Sequence, residues 1–136
     1  MGKIKVFYEG NLRTRAVHEE SGVSIETDAP KDNQGKGEKF SPTDLLVTSL
    51  GTCVLTLVGI AARKKNLDLS GLRADIEKEM ASHPRRIGRI IVQVYCPQVF
   101  NSEDTAVLEH AGRECPVHKS LSPNLEQVIN FHWGQS

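Results

Sequence analysis

Between Leu45 and Ala62 the chain carries no charged residue. A run of that length stands at the threshold of about 18 residues where a segment becomes a candidate for crossing a bilayer. Thr48, Ser49, Gly51, Thr52, Thr56 and Gly59 dilute its hydrophobicity, and the flanking sequence alternates like ordinary strands. The expectation is therefore a buried helix and no membrane. Its ends carry helix punctuation. Ser41 can cap, Pro42 suits the first helical position, and Asp44 sits three residues after the cap, where an acid also complements the helix dipole. Arg63, Lys64 and Lys65 occupy the last turn, with Asn66 as the candidate C-cap. A helix apolar on nearly every side must be enclosed almost completely, which points to burial against a partner as well as within the chain.

The remaining elements follow from alternation and turn residues. Residues 3–9 and 12–18 read as strands joined at Glu9-Gly10-Asn11, and Val23–Thr27 as a third. A polar loop spans Ala29–Lys39. Strands are expected at Leu72–Ala81 and Gly88–Cys96. The second alternates poorly, as a strand covered on both faces would. Ser102 caps a helix to Arg113, Cys115-Pro116-Val117-His118 starts a short helical turn, and Val128–Trp133 is the final strand. The order βββαββαβ favours an α+β fold over a doubly wound parallel sheet, and residues 1–136 read as one domain.

Lys plus Arg and Asp plus Glu both number 17, so the formal charge is zero and the footprint of a nucleic-acid binder is missing. The charged N-terminus, MGKIKVFYEGN, has no apolar core of a secretory signal. Three cysteines without framework spacing favour a reducing compartment, the cytoplasm.

Chemistry concentrates on those cysteines. Cys53 lies mid-helix among small residues, in Ser49-Leu50-Gly51-Thr52-Cys53. A thiol reacts as thiolate, and apolar burial opposes ionisation, so function at Cys53 requires a nearby cation such as Arg13 or Arg15. The bland alternative is a small core hydrophobe. Cys115 precedes Pro116 at the start of a helical turn, where backbone N–H groups favour a thiolate. Spacing alone cannot pair the two. Cys96, at a strand end, reads as a core residue. His110, Cys115 and His118 match no common zinc spacing, so no metal is expected. There is no Gly-x-Ser-x-Gly elbow, phosphate loop or dinucleotide fingerprint.

Three segments together resemble the OsmC/Ohr family, named for osmotically inducible protein C and organic hydroperoxide resistance protein. They are Gly10-Asn11-Leu12-Arg13 with Ser21-Gly22 and Asp28-Ala29-Pro30, then Phe40-Ser41-Pro42-Thr43-Asp44-Leu45-Leu46 leading to Cys53, and Cys115-Pro116-Val117-His118. The resemblance implies an OsmC-like intertwined homodimer, with two long helices buried between sheets built from both chains. It also implies a thiol-dependent peroxidase acting on organic hydroperoxides. Cys53 would be the peroxidatic cysteine, Cys115 the resolving one, and Arg13 the arginine that holds the thiolate, able to reach across the dimer. An external dithiol would reduce the resulting disulfide, and no cofactor is implied. One position departs. Peroxidases of the family usually carry a glutamate after the proline; here that residue is Thr43, and the acid follows as Asp44, about 100° further round a helix. Asp44 could support Arg13 or simply cap the helix. The resemblance gives His118 no catalytic step. The runner-up is a non-catalytic or small-molecule-binding OsmC-like protein with incidental thiols, and an acyl-type nucleophile without a positioned base comes third.

Overall fold

Gly10, Asn11 and Leu12 have φ of 87°, 55° and 62°, three successive residues in the left-handed region. Glycine and asparagine take that conformation at little cost, so the Gly-Asn pair turns the chain between its first two strands. In a computed structural model, which describes residues 2–136, β1 (Ile4–Gly10), β2 (Arg13–His18) and β3 (Ser24–Asp28) form an antiparallel sheet in that order. The chain divides into two compact units, one holding the residues up to Leu46 and the other Val47–Ser136. In the first unit the polar segment after β3 makes a 3-10 turn at Lys31–Asn33. The Gly35 and Gly37 N–H groups donate back to the Pro30 and Ala29 carbonyls at 2.9 and 3.2 Å. Ile4, Val6 and Tyr8, alternate residues of β1, all lie on the exposed surface of this unit.

Helix α1 (Pro42–Lys64) begins as its sequence demands. The Ser41 N–H donates to Asp44 Oδ2 at 2.9 Å, and the Asp44 N–H donates to Ser41 Oγ at 3.0 Å, a reciprocal capping box. At its far end Asn66 takes a φ of 55°, and the Leu67 N–H reaches the Ala62 carbonyl at 2.9 Å.

In the second unit β4 (Arg73–Ala81) pairs antiparallel with β5 (Arg86–Cys96), and β5 pairs parallel with β6 (Glu126–Trp133). A parallel neighbour needs a crossover. Helices α2 (Ser102–Arg113) and α3 (Pro116–Ser120) supply it. Asn101, not Ser102, caps α2, its Oδ1 accepting the Asp104 N–H at 2.7 Å. Leu50, Val54 and Val58 of α1 form the core with Ile90, Val92 and Val94 of β5 and Leu108 of α2. Two glycines let the layers meet. A Cβ at Gly51 would overlap Cδ1 of Ile76, and one at Gly112 would lie 3.0 Å from Cζ of Phe131.

One expectation is met in part and one changes. Length and composition would let α1 cross a bilayer, and the sequence pattern asks for nearly complete enclosure. Among the described residues of the second unit one face is enclosed, the stripe through Val47, Leu50, Val54, Val58 and Ala62, while Thr52, Thr56 and Ile60 are exposed. Strand β5 does alternate. Ile90, Val92, Val94 and Cys96 are buried, whereas Ile91, Gln93 and Tyr95 are only half-buried. Long neighbouring side chains screen that second face. The Arg73 guanidinium lies 4.4 Å from the Tyr95 ring centroid, and His132 stacks on the same ring at 4.7 Å.

Candidate functional site

Cys53 projects from the middle of α1 and is half-buried; Cys115, between α2 and α3, is fully buried. The crossover brings these two cysteines together. They approach to 2.8 Å with no bond between them, well beyond the roughly 2.05 Å of a disulfide. Cys115 is the N-cap of α3, and its Sγ accepts the His118 N–H at 3.3 Å. Pro116 follows at the first helical position, where its missing N–H removes no helix bond.

Burial is the main influence on the Cys115 thiol and pushes its pKa up. A hydrogen bond given to Cys53 raises it further, and the backbone N–H groups of His118 and Val117 oppose both. Burial thus favours the neutral thiol at Cys115, with the Cys53 sulfur beside it. Such an arrangement can close to a disulfide with little movement of either backbone when an external oxidant takes up the two thiol hydrogens and their electrons.

The His118 side chain is held in turn. Gln127, near the start of β6, donates from Nε2 to the His118 carbonyl at 3.2 Å, and its Oε1 lies 2.6 Å from His118 Nδ1. With the amide nitrogen committed to a carbonyl, the oxygen must face the ring, so Nδ1 carries the hydrogen. His110 is exposed on α2, 3.8 Å from Glu114. Among the described residues no group of three or more His, Cys, Asp or Glu side chains gathers as metal ligands would. Cys96 is buried in the second unit, its thiol donating to Gln98 Oε1 at 3.0 Å, and burial pushes its pKa up.

Arg13 belongs to the first unit, and its partner there is Asp28, which lies in one of the resembling segments and to which the sequence assigns no role. Its Nε and Nη2 donate to the two carboxylate oxygens of Asp28 at 2.7 and 2.8 Å, and Nη2 also reaches Glu38 Oε1 at 3.1 Å. The Glu38 N–H donates to Asp28 Oδ2 at 3.1 Å. Asp28 is 2% exposed. The Arg13 guanidinium is the largest influence holding its carboxyl below the usual aspartate range, and the Glu38 N–H adds to it. Asp28 raises the Arg13 pKa still further above neutrality. The signal was available in the register, because Arg13 and Asp28 stand directly opposite across β2 and β3. A cavity of about 200 Å³ opens beside them, lined by Glu9, Gly10, Asn11, Arg13, Asp28 and Lys36. Arg15, the other candidate cation, donates to Glu9 at 2.7 Å and lies 4.8 Å from the Phe7 ring centroid. Asp44 closes the α1 cap, and the Thr43 hydroxyl lies 3.1 Å from Ser41 Oγ within the same turn.

The sequence model of OsmC-like proteins matches residues 35–129. A Psychrobacter arcticus protein named for osmotic stress induction and a detoxification response is 44% identical. That match covers 97% of this chain and 96% of that one, with a TM-score of 0.93. An organic hydroperoxide resistance protein from Legionella pneumophila has the same fold at 13% identity, with a TM-score of 0.76 over 96% of each chain. An OsmC-like protein of unknown function from Vibrio cholerae has it at 11% identity and a TM-score of 0.79, over 97% of this chain and 99% of that one. No curated protein matches. With a family match over most of its length and a relative this similar from end to end, the chain belongs to the OsmC/Ohr family.

Proposed function

We propose that the chain is a thiol peroxidase that reduces organic hydroperoxides. The observation that carries this reading is the unbonded approach of Cys53 and Cys115 at 2.8 Å. Family membership supports a redox role in general. The name of the Legionella relative fits the substrate class.

The Cys53 thiolate attacks the distal peroxide oxygen. The O–O bond breaks, the alkoxide leaves and takes a proton to become the alcohol, and Cys53 becomes a sulfenic acid. The Cys115 sulfur then attacks the sulfenic sulfur. Hydroxide leaves with the Cys115 proton as water, and a Cys53–Cys115 disulfide remains. An external dithiol restores both thiols by exchange and is itself oxidised. Arg13 holds the thiolate and orients the peroxide, a task suited to a group that stays charged and presents several donors. Asp28 fixes its orientation in place of the glutamate that Thr43 replaces. No cofactor takes part. The protein works as a homodimer, a reading supported by the uncovered Thr52, Thr56 and Ile60 side of α1. The odd cysteine count suits a reducing, cytoplasmic setting. The family match crosses the boundary between the two units, which supports one domain over residues 1–136.

A second reading, a small-molecule-binding protein with incidental thiols, is favoured by one observation. Arg13 is already engaged by Asp28 and Glu38. Cumene hydroperoxide separates the two. The peroxidase reading expects the reduced protein to lose two thiols and two mass units through one disulfide, and Cys53→Ser to abolish the reaction. Survival of both thiols in a modest excess of peroxide favours the binding protein.

A further inference from the structure

The proposed reaction has a second step, attack of Cys115 on oxidised Cys53, whose rate depends on where the Cys115 sulfur is held. Cys115 is joined to a helix of only five residues, α3, too short to be rigid by its own hydrogen bonds. Its position must be fixed from outside, and the contacts of His118 and Gln127 do this. Gln127 lies in β6 directly beside Ile90 of the central strand β5, so its backbone is part of the sheet. From there its carboxamide takes hold of His118 at two points, the ring Nδ1 at 2.6 Å and the main-chain carbonyl at 3.2 Å. The N–H of the same residue donates to Cys115 Sγ at 3.3 Å. Sheet, carboxamide, histidine backbone and sulfur make one continuous hydrogen-bonded chain.

We propose that Gln127 is a positioning residue for resolution, which acts through His118 to hold the Cys115 sulfur against Cys53. The inference rests on the peroxidase reading for its biological meaning, but its physical content is the rate at which the two cysteines join. His118 serves here as the held post: its Nδ1 hydrogen is committed to Gln127, and its contact with Cys115 comes from the main chain. Misplacing a reacting atom by about 1 Å can slow a step by up to a hundredfold. Loosening α3 should therefore prolong the life of the Cys53 sulfenic acid. A second peroxide can then oxidise it to the sulfinic acid, with release of a second alcohol.

The test compares the parent with Gln127→Ala, His118→Ala and His118→Asn, each checked for a parent-like circular dichroism spectrum. Asparagine places an N–H near the site of Nδ1 and keeps a donor for Gln127, but it cannot act as a base. Two reactions are followed by quenched mass spectrometry. Diamide closes Cys53–Cys115 without peroxide, by taking up the two thiol hydrogens itself. Cumene hydroperoxide, with dimedone present to trap sulfenic acid, reports the full sequence. Gln127→Ala and His118→Ala should close the disulfide about tenfold more slowly with either oxidant. With peroxide they should accumulate the dimedone adduct and Cys53 sulfinic acid, while the first oxidation of Cys53 keeps its parent rate. His118→Asn should close near the parent rate. Parent-like closure in Gln127→Ala overturns the proposal, as does a His118→Asn as slow as His118→Ala. If Gln127→Ala does not fold, the two His118 variants decide. Failure of parent Cys53 to react with peroxide sinks the peroxidase reading alone, because the diamide rates still measure the clamp.

Discussion

Arg13 and Asp28 face each other across β2 and β3, and two parallel hydrogen bonds at 2.7 and 2.8 Å fix the guanidinium plane. A carboxylate that pairs in this bidentate way limits the angle at which the remaining N–H groups can be presented. Asp28→Asn keeps the size but gives up the charge and one acceptor. It should lower the rate of Cys53 oxidation about tenfold, in proportion to one lost charge-assisted bond. The pair also sets a pH dependence. Because Arg13 holds the Asp28 carboxyl below its ordinary value near 3.9, the folded chain binds fewer protons there than the unfolded one. The stabilisation is complete above about pH 4 and is lost as pH falls through the lowered value. Thermal melts between pH 6 and pH 2.5 should show the parent losing stability in the acid range and Asp28→Asn losing less of it. Identical acid limbs would remove Asp28 from this role. In the sequence the conspicuous acid is Asp44, beside Thr43 at a helix start. Asp28 becomes legible as the partner of Arg13 only once the strand register is known, and register depends on the Gly10-Asn11-Leu12 turn.

Helix α1 was the most readable element, since its signals are local. Ser41, Pro42, Asp44 and Asn66 act within one turn of themselves, and each does what its chemistry dictates. The Cys53–Cys115 approach was not readable from spacing, because it requires a parallel β5–β6 pair and the crossover that such a pair forces. Strand β5 misled for a related reason. Its apolar run hides an alternation that Arg73 and His132 complete from neighbouring strands. The cap offers a test of the two roles open to Asp44. As one half of a capping box, Asp44→Ala should cost about 1 kcal/mol of stability, measured by urea unfolding, and Asp44→Asn should recover most of it by keeping the acceptor. The rate of Cys53 oxidation should be the same in all three proteins. A slowed oxidation in Asp44→Ala without the stability loss would assign the residue to Arg13 support instead.

At the scale of the whole molecule, each unit taken alone leaves apolar surface in water. The first exposes Ile4, Val6 and Tyr8 along β1, and the second exposes Ile60, 48% accessible, on the outer side of α1. With equal numbers of acidic and basic residues, the chain has no net charge to oppose self-association. A second copy of the chain that covers the Thr52, Thr56 and Ile60 side would complete the enclosure that an almost uncharged helix demands. Ile60→Glu separates the possibilities by magnitude. On a surface open to water the substitution should change stability by no more than about 0.5 kcal/mol. In a closed seam it would place a carboxylate in an apolar contact in each of two copies, at several kcal/mol for each charge, enough to shift the dissociation constant by orders of magnitude. Light scattering should therefore give the parent twice the 15.0 kDa chain mass, and the Ile60→Glu chain a single mass with a folded spectrum. A parent that scatters as one chain, or an Ile60→Glu that remains paired, would place the seam elsewhere and leave the outer side of α1 without its cover.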